Sequence, residues 1–171
     1  FLSMTGLDPL DTSIDALNRY CASIGLDHPE FATVTDGLQF IMAARIEPAF
    51  DPTAITVVSH YPADQALFAT LAQDDRRVAL RFEVYCGGME LANGFEELGD
   101  WRSNETRMAA ENEKRRAIGK AELPLDRKFI DALKLGLPAC SGVALGFDRL
   151  VMLALGKKSI AEVIAFPWEC A

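Results

Sequence analysis

The chain has 171 residues, 50% hydrophobic and 25% charged, with a net charge of −8. That is the profile of one globular domain, and it lacks the basic footprint of a nucleic-acid-binding domain. No apolar run approaches the ~20 residues of a membrane span, and no basic-then-apolar leader opens the chain. The four cysteines, Cys21, Cys86, Cys140 and Cys170, form no C-x-x-C pair, so neither a disulfide framework nor a zinc ribbon is expected and a reducing cytoplasm fits.

Phe1 to Leu10 reads as the middle of a longer domain. Asp11, Thr12 and Ser13 are helix-capping types, and Ile14, Leu17, Tyr20/Cys21 and Ile24 follow at helical spacing until Gly25, which predicts an amphipathic helix. A second helix is expected over 34–47, with Leu38, Ile41, Met42 and Ile46 on one stripe and Pro48 closing it. Ala54 to Ser59 is a short β-branched run and predicts a strand. Arg81 to Tyr85 and Met89 to Leu98 flank Cys86-Gly87-Gly88, a hairpin pattern. Residues 103–120 are rich in Glu, Lys, Arg and Ala and predict a solvated helix. A short helix over Asp126 to Leu135 follows, ended by Gly136 and Pro138. Ser141 to Gly146 then reads as a small-residue strand running into a helix from Asp148 to Leu155. Strands and helices alternate irregularly, so the fold class expected is α+β, an antiparallel sheet flanked by helices.

Two segments carry chemistry. Glu90-Leu91-Ala92-Asn93-Gly94-Phe95-Glu96-Glu97-Leu98 places carboxylates and a carboxamide in a strand-like run. Buried carboxylates need a cation, a metal or water. Glu90 and Glu97 are seven apart and face opposite ways on a regular strand, so they reach one site only through a bend or bulge, expected near Gly94. A solvated edge strand is the alternative. Gly142-Val143-Ala144-Leu145-Gly146-Phe147-Asp148-Arg149-Leu150 offers a small-residue strand and a helix N-terminus, where a ligand can approach the backbone and an anion is favoured. Arg149 in the first helical turn opposes the helix dipole unless an anion offsets it. A tightly packed strand–helix corner explains the same glycines.

Taken together, the two segments resemble the class II aminoacyl-tRNA synthetases. Gly142 to Leu150 is similar to their motif 3, and Glu90 to Leu98 to the E-L-x-N-G-F-x-E-L stretch of the lysyl branch. Ile46-Glu47-Pro48, His60-Tyr61-Pro62, Arg81-Phe82-Glu83 and Ile164-Ala165-Phe166-Pro167 extend the resemblance along most of the chain. Ala63-Asp64-Gln65-Ala66 after the His-Tyr-Pro turn, and Ala144 where the synthetases have glycine, resemble instead the ligases that attach β-lysine to elongation factor P. Trp101-Arg102 matches neither pattern.

The resemblance implies a role for each position. Glu90 and Glu97 would hold Mg2+ on the phosphates of ATP. Leu91 would meet ATP through its backbone, Gly146 would underlie the adenosine, and Arg149 would be the catalytic cation on the γ-phosphate. Glu97, Asn93 and Ala144 would border the amino acid, lysine or β-lysine. Elongation factor P would be the acceptor, the whole protein a homodimer, and tRNA no partner of this acidic segment. A lysyl-tRNA synthetase core and a non-catalytic paralogue are the alternatives. The chain would be the C-terminal portion of one catalytic domain, with motifs 1 and 2 upstream of Phe1 and no activity by itself.

Overall fold

The computed structural model describes residues 1–27 and 29–168; Cys170 lies outside them. A short helix α1 (Leu2–Thr5) leads to α2 (Ile14–Ser23) and α3 (Val34–Ile41). α2 starts at one of its predicted capping residues, α3 at a capping pair not singled out from the sequence, and α1 has no side-chain cap. Ser13 Oγ accepts the Ala16 N–H, and Thr33 and Asp36 cap each other reciprocally. Past Ile41 the helix widens into a π turn (Met42–Ile46) and tightens into a 3-10 turn (Glu47–Ala49) at Pro48. Leu17, Cys21, Phe31, Leu38, Ile41 and Ile46 form one core. Gly37 inside α3 has a packing reason: a Cβ there would lie 2.8 Å from Leu17 Cδ1 and 3.0 Å from Phe31 Cδ2.

The sheet contains β1 (Thr56–Pro62), β2 (Val78–Cys86), β3 (Met89–Glu96) and β4 (Ser141–Leu145) in that spatial order. Every neighbouring pair is antiparallel. The β2–β3 hairpin turns on Gly87 and Gly88, both at positive φ (60° and 76°), as a two-residue hairpin loop of this hand demands. Between β3 and β4 come α4 (Trp101–Ala117) and α5 (Arg127–Lys134), and β4 runs directly into α6 (Phe147–Leu155). Asp100 caps α4 through the Ser103 N–H, and Asn104, its one buried residue, donates to the carbonyls of Leu98 (2.6 Å) and Asp100 (3.0 Å). α4 is otherwise solvated, as its charge pattern predicts. Among the described residues no helix is long and apolar enough to cross a membrane. The architecture is the expected α+β class, a four-stranded antiparallel sheet with helices.

Candidate functional site

The site begins with an irregularity in β3. Ala92 lies opposite Val84 and Glu90 opposite Tyr85, so two steps along β3 match one along β2 and Leu91 is the extra residue. The distortion falls three residues before Gly94, where it was expected. Gly94 instead serves close packing: a Cβ there would sit 2.5 Å from the Gly142 carbonyl oxygen and 2.6 Å from Phe82 Cζ. A bulge shifts the alternation by one residue. Glu90, Asn93 and Glu97 therefore share one face of the sheet, which a regular strand would forbid.

The second part is the corner between β4 and α6. Gly146 donates its N–H to the Leu91 carbonyl (2.8 Å), tying the corner to the bulge. Arg149, in the first turn of α6, sends Nη1 to the Glu90 carbonyl (2.8 Å), with the Glu90 carboxylate at 3.8 Å. The cation that the helix dipole disfavours is thus offset by an acidic residue of β3. Both side chains remain substantially exposed, at 50% for Arg149 and 37% for Glu90, so the pair is open to a ligand.

Glu90, Leu91, Asn93, Ala144, Gly146 and Arg149 line one hollow of about 240 Å³. Glu97 stands apart from it along the same face. Its Oε1 covers Gly142, 2.1 Å from where a Cβ would be, so that glycine is what lets the carboxylate lie there. Small-molecule pockets usually measure ~300–1,000 Å³, and the hollow falls just below that range.

A group that the sequence did not single out for chemistry lies beside it. Arg81, Glu83 and Tyr85 occupy alternate positions of β2 and face the same way as Asn93. Glu83 is buried and accepts hydrogen bonds from the hydroxyls of Tyr61 and Tyr85, from Arg81 and from Asn93. Burial, reinforced by the Glu83 hydrogen bond, holds both tyrosine hydroxyls far above their ordinary range. Glu47, at the turn ending the α3 extension, lies 3.3 Å from Tyr85 Oη. Burial raises its pKa, the Tyr85 hydrogen bond lowers it, and the charges of Glu83 and Glu90 raise it further. The signal in the sequence was the i, i+2, i+4 spacing of Arg81, Glu83 and Tyr85, which a solvated face would also show.

Trp101 and Arg102 form a separate surface feature. The Trp101 ring lies beneath the Arg102 guanidinium (4.4 Å to the centroid) and the Lys134 ammonium (5.0 Å).

An antiparallel sheet with an acidic inner strand, and a small-residue strand leading to a helix that carries an arginine, define a class II tRNA-synthetase-type domain. The model of the family tRNA synthetases class II (D, K and N) matches residues 23–169, and the chain belongs to that family. Elongation factor P–(R)-β-lysine ligase from Proteus mirabilis (strain HI4320) is 43% identical over 171 residues, covering 98% of this chain and 52% of the relative. The chain spans about half the length of that curated relative.

Proposed function

We propose that the protein activates (R)-β-lysine, or lysine, with ATP as an adenylate and transfers it to a lysine side chain of elongation factor P. The observation that carries this reading is the junction of Glu90 and Arg149 at a hollow floored by small residues. An exposed guanidinium beside an exposed carboxylate suits a nucleotide that arrives with a divalent cation, since the first meets phosphate and the second the metal. Among the described residues no three His, Cys, Asp or Glu side chains cluster as a metal cage. Mg2+ shared with nucleotide phosphates needs only one or two carboxylates, so the exposed Glu90 carboxylate at the hollow fits, with Glu97, further along the same face, as the second residue that would hold it. When bound, the ion would neutralise phosphate charge.

In the reaction, a carboxylate oxygen of the amino acid bonds to the α-phosphorus, the α–β P–O bond breaks and pyrophosphate leaves. The acceptor amine then attacks the activated carbonyl and AMP departs. Arg149 holds the γ-phosphate, Leu91 and Gly146 provide backbone and a flat floor for adenosine, and Asn93, Glu97 and Ala144 border the amino acid. Positioning and charge stabilisation carry such a step without a protein nucleophile. On this reading the chain is the C-terminal portion of the catalytic domain. The α-phosphate grip and the homodimer interface come from the portion that precedes it in the family, and the active unit is the full-length dimer in the cytoplasm.

The test is ATP–pyrophosphate exchange by the full-length protein with (R)-β-lysine and lysine, followed by mass spectrometry of elongation factor P. Amino-acid-dependent exchange and a mass gain on the factor are expected. Arg149→Ala is expected to lower the exchange rate by about 100- to 1,000-fold, the scale of losing one preorganised charge-stabilising group. The family also includes lysyl-tRNA synthetases. Charging of tRNA with lysine, without modification of elongation factor P, would replace the ligase reading by that one.

A further inference from the structure

We infer that Asn104 and Arg107 of α4 are positioning residues, a clamp on the end of β3 that keeps the Glu97 carboxylate over Gly142 on the ligand-facing side of the sheet. This rests on the reading of Glu97 as a holder of Mg2+ and a neighbour of the amino acid.

β2 and β3 pair from the hairpin turn as far as Arg81 and Phe95 and then part. Residues 68–72 fill the gap as a wedge. On one side the wedge joins β2, where the Leu80 N–H donates to the Thr70 carbonyl (2.8 Å) and the Ala72 N–H to the Val78 carbonyl (2.9 Å). On the other it joins the end of β3, where the Thr70 N–H donates to the Glu96 carbonyl (2.8 Å) and the Leu98 N–H to the Phe68 carbonyl (2.8 Å). Ala69 thus stands opposite Glu97. Thr70 Oγ1 also donates to the Glu97 carbonyl (3.2 Å), while the Glu97 N–H points the other way, to the Cys140 carbonyl (3.0 Å). The backbone of Glu97 is therefore held only as firmly as the wedge beside it.

The wedge has little support of its own. The chain enters it through Leu67, which is exposed and lies at φ 42°, in the left-handed region that leucine avoids. Its buried side chains next to that turn are the small Ala66 and Ala69. α4 supplies the grip. Arg107 donates Nη1 to the carbonyls of Leu67 (2.8 Å) and Ala69 (2.7 Å), and Asn104, three residues earlier and so on the same side of the helix, donates to the Leu98 carbonyl (2.6 Å). One side chain thus holds the residue opposite Glu97, and the other holds the residue after it. Arg107 is half-buried, and burial, with the Arg76 charge second, pushes its pKa below the ordinary value. An apolar side chain would dock the helix there without desolvating a charge, but it would have no hold on two carbonyls at once.

The test is ATP–pyrophosphate exchange by the full-length protein. Arg107→Met keeps most of the side-chain stem and removes both hydrogen bonds. It is expected to raise the Mg2+ concentration for half-maximal exchange and the KM for the amino acid about tenfold each, the scale of one charge-assisted hydrogen bond. A helix that merely supports the fold would lower the melting temperature and the amount of active enzyme while leaving both parameters unmoved, and that result overturns the inference. Thr70→Val removes the hydroxyl bond to the Glu97 carbonyl and is expected to shift the same two parameters the same way by about fivefold. It carries the test should Arg107→Met fail to fold, and unmoved parameters overturn the inference there too. Absence of pyrophosphate exchange with lysine and β-lysine in the unsubstituted protein would sink the proposed function instead. Amide hydrogen–deuterium exchange then decides the inference: faster exchange at Glu97 and Leu98 in Arg107→Met, by about tenfold and without change at the β2–β3 hairpin, upholds it. A rise spread evenly over the sheet, or none at these two amides, overturns it.

Discussion

Two glycines of the site region make opposite demands, and the difference separates a role toward ligand from a role in packing. At Gly146 the backbone is ordinary (φ −72°), and an added Cβ would meet Arg149 Cδ at 3.4 Å and the Leu91 oxygen at 3.5 Å, normal van der Waals distances. The protein itself therefore accepts alanine there, and Gly146→Ala is expected to change stability by less than ~1 kcal/mol. If adenosine rests on that surface, the same methyl lowers ATP affinity in titration calorimetry of the full-length protein; unaltered affinity would remove Gly146 from the nucleotide floor. At Gly94 the Cβ would collide with the Gly142 carbonyl oxygen at 2.5 Å, a backbone atom of the paired strand that cannot swing aside. Gly94→Ala is expected to cost ~1–3 kcal/mol, as overpacking does, read as a shift of the urea midpoint. Sequence alone gave both positions the same letter in a glycine-bearing motif, and only the distances tell them apart.

At the scale of elements, what was legible is what depends on neighbours along the chain. Ser13 begins α2 by a local hydrogen bond, and Gly87-Gly88 turns a hairpin by local φ; such signals are complete within a few residues, and the Thr33–Asp36 pair and Asp100 cap their helices by the same local chemistry, though they were not picked out from the sequence. The bulge at Leu91 was anticipated in kind but not in place, because it is defined by the register of β3 against β2 rather than by any residue of β3 alone. The Glu83 network escaped for a related reason, since alternation of polar residues reads equally as an outer face until the strands on both sides are known. The turn that feeds β2 shows local chemistry with a measurable consequence. Asp75 accepts from Arg77 (Nη2, 2.7 Å) and from the Arg77 backbone N–H (3.0 Å), which holds its pKa at about 2. A folded value below the unfolded ~3.9 stabilises the fold above that pH, and the contribution is lost as pH falls from ~3.9 toward 2. Carboxyl NMR is expected to show Asp75 titrating near that low value, and Asp75→Asn to flatten acid destabilisation within this window; a midpoint near 4 would show that the turn does not hold the carboxylate.

For the molecule as a whole, the distribution of apolar surface is uneven. Near the N-terminus, α2, α3 and the following turns enclose a core of their own. On the face of β4 turned away from Ala144, Val143 and Leu145 are 62% and 52% exposed, and in the chain that follows β4, Phe147, Leu155, Phe166 and Trp168 are exposed as well. β4 is also an edge strand among the described residues. An apolar edge of this kind offers unpaired backbone groups together with sticky side chains, and unprotected edges pair with other chains. The chain spans about half of the curated relative, and in the proposed full-length domain further polypeptide is available to cover that surface. Residues 1–171 expressed alone are therefore expected to self-associate, with sedimentation that shifts with concentration and with ANS fluorescence that the full-length gene product lacks. Val143→Lys combined with Leu145→Lys is expected to return the isolated chain toward monomer, since like charges along an edge oppose strand addition, while the hollow on the other face stays intact. A monodisperse, ANS-silent chain at high concentration would show instead that residues 1–171 shield this edge themselves, and the need for a covering segment would disappear.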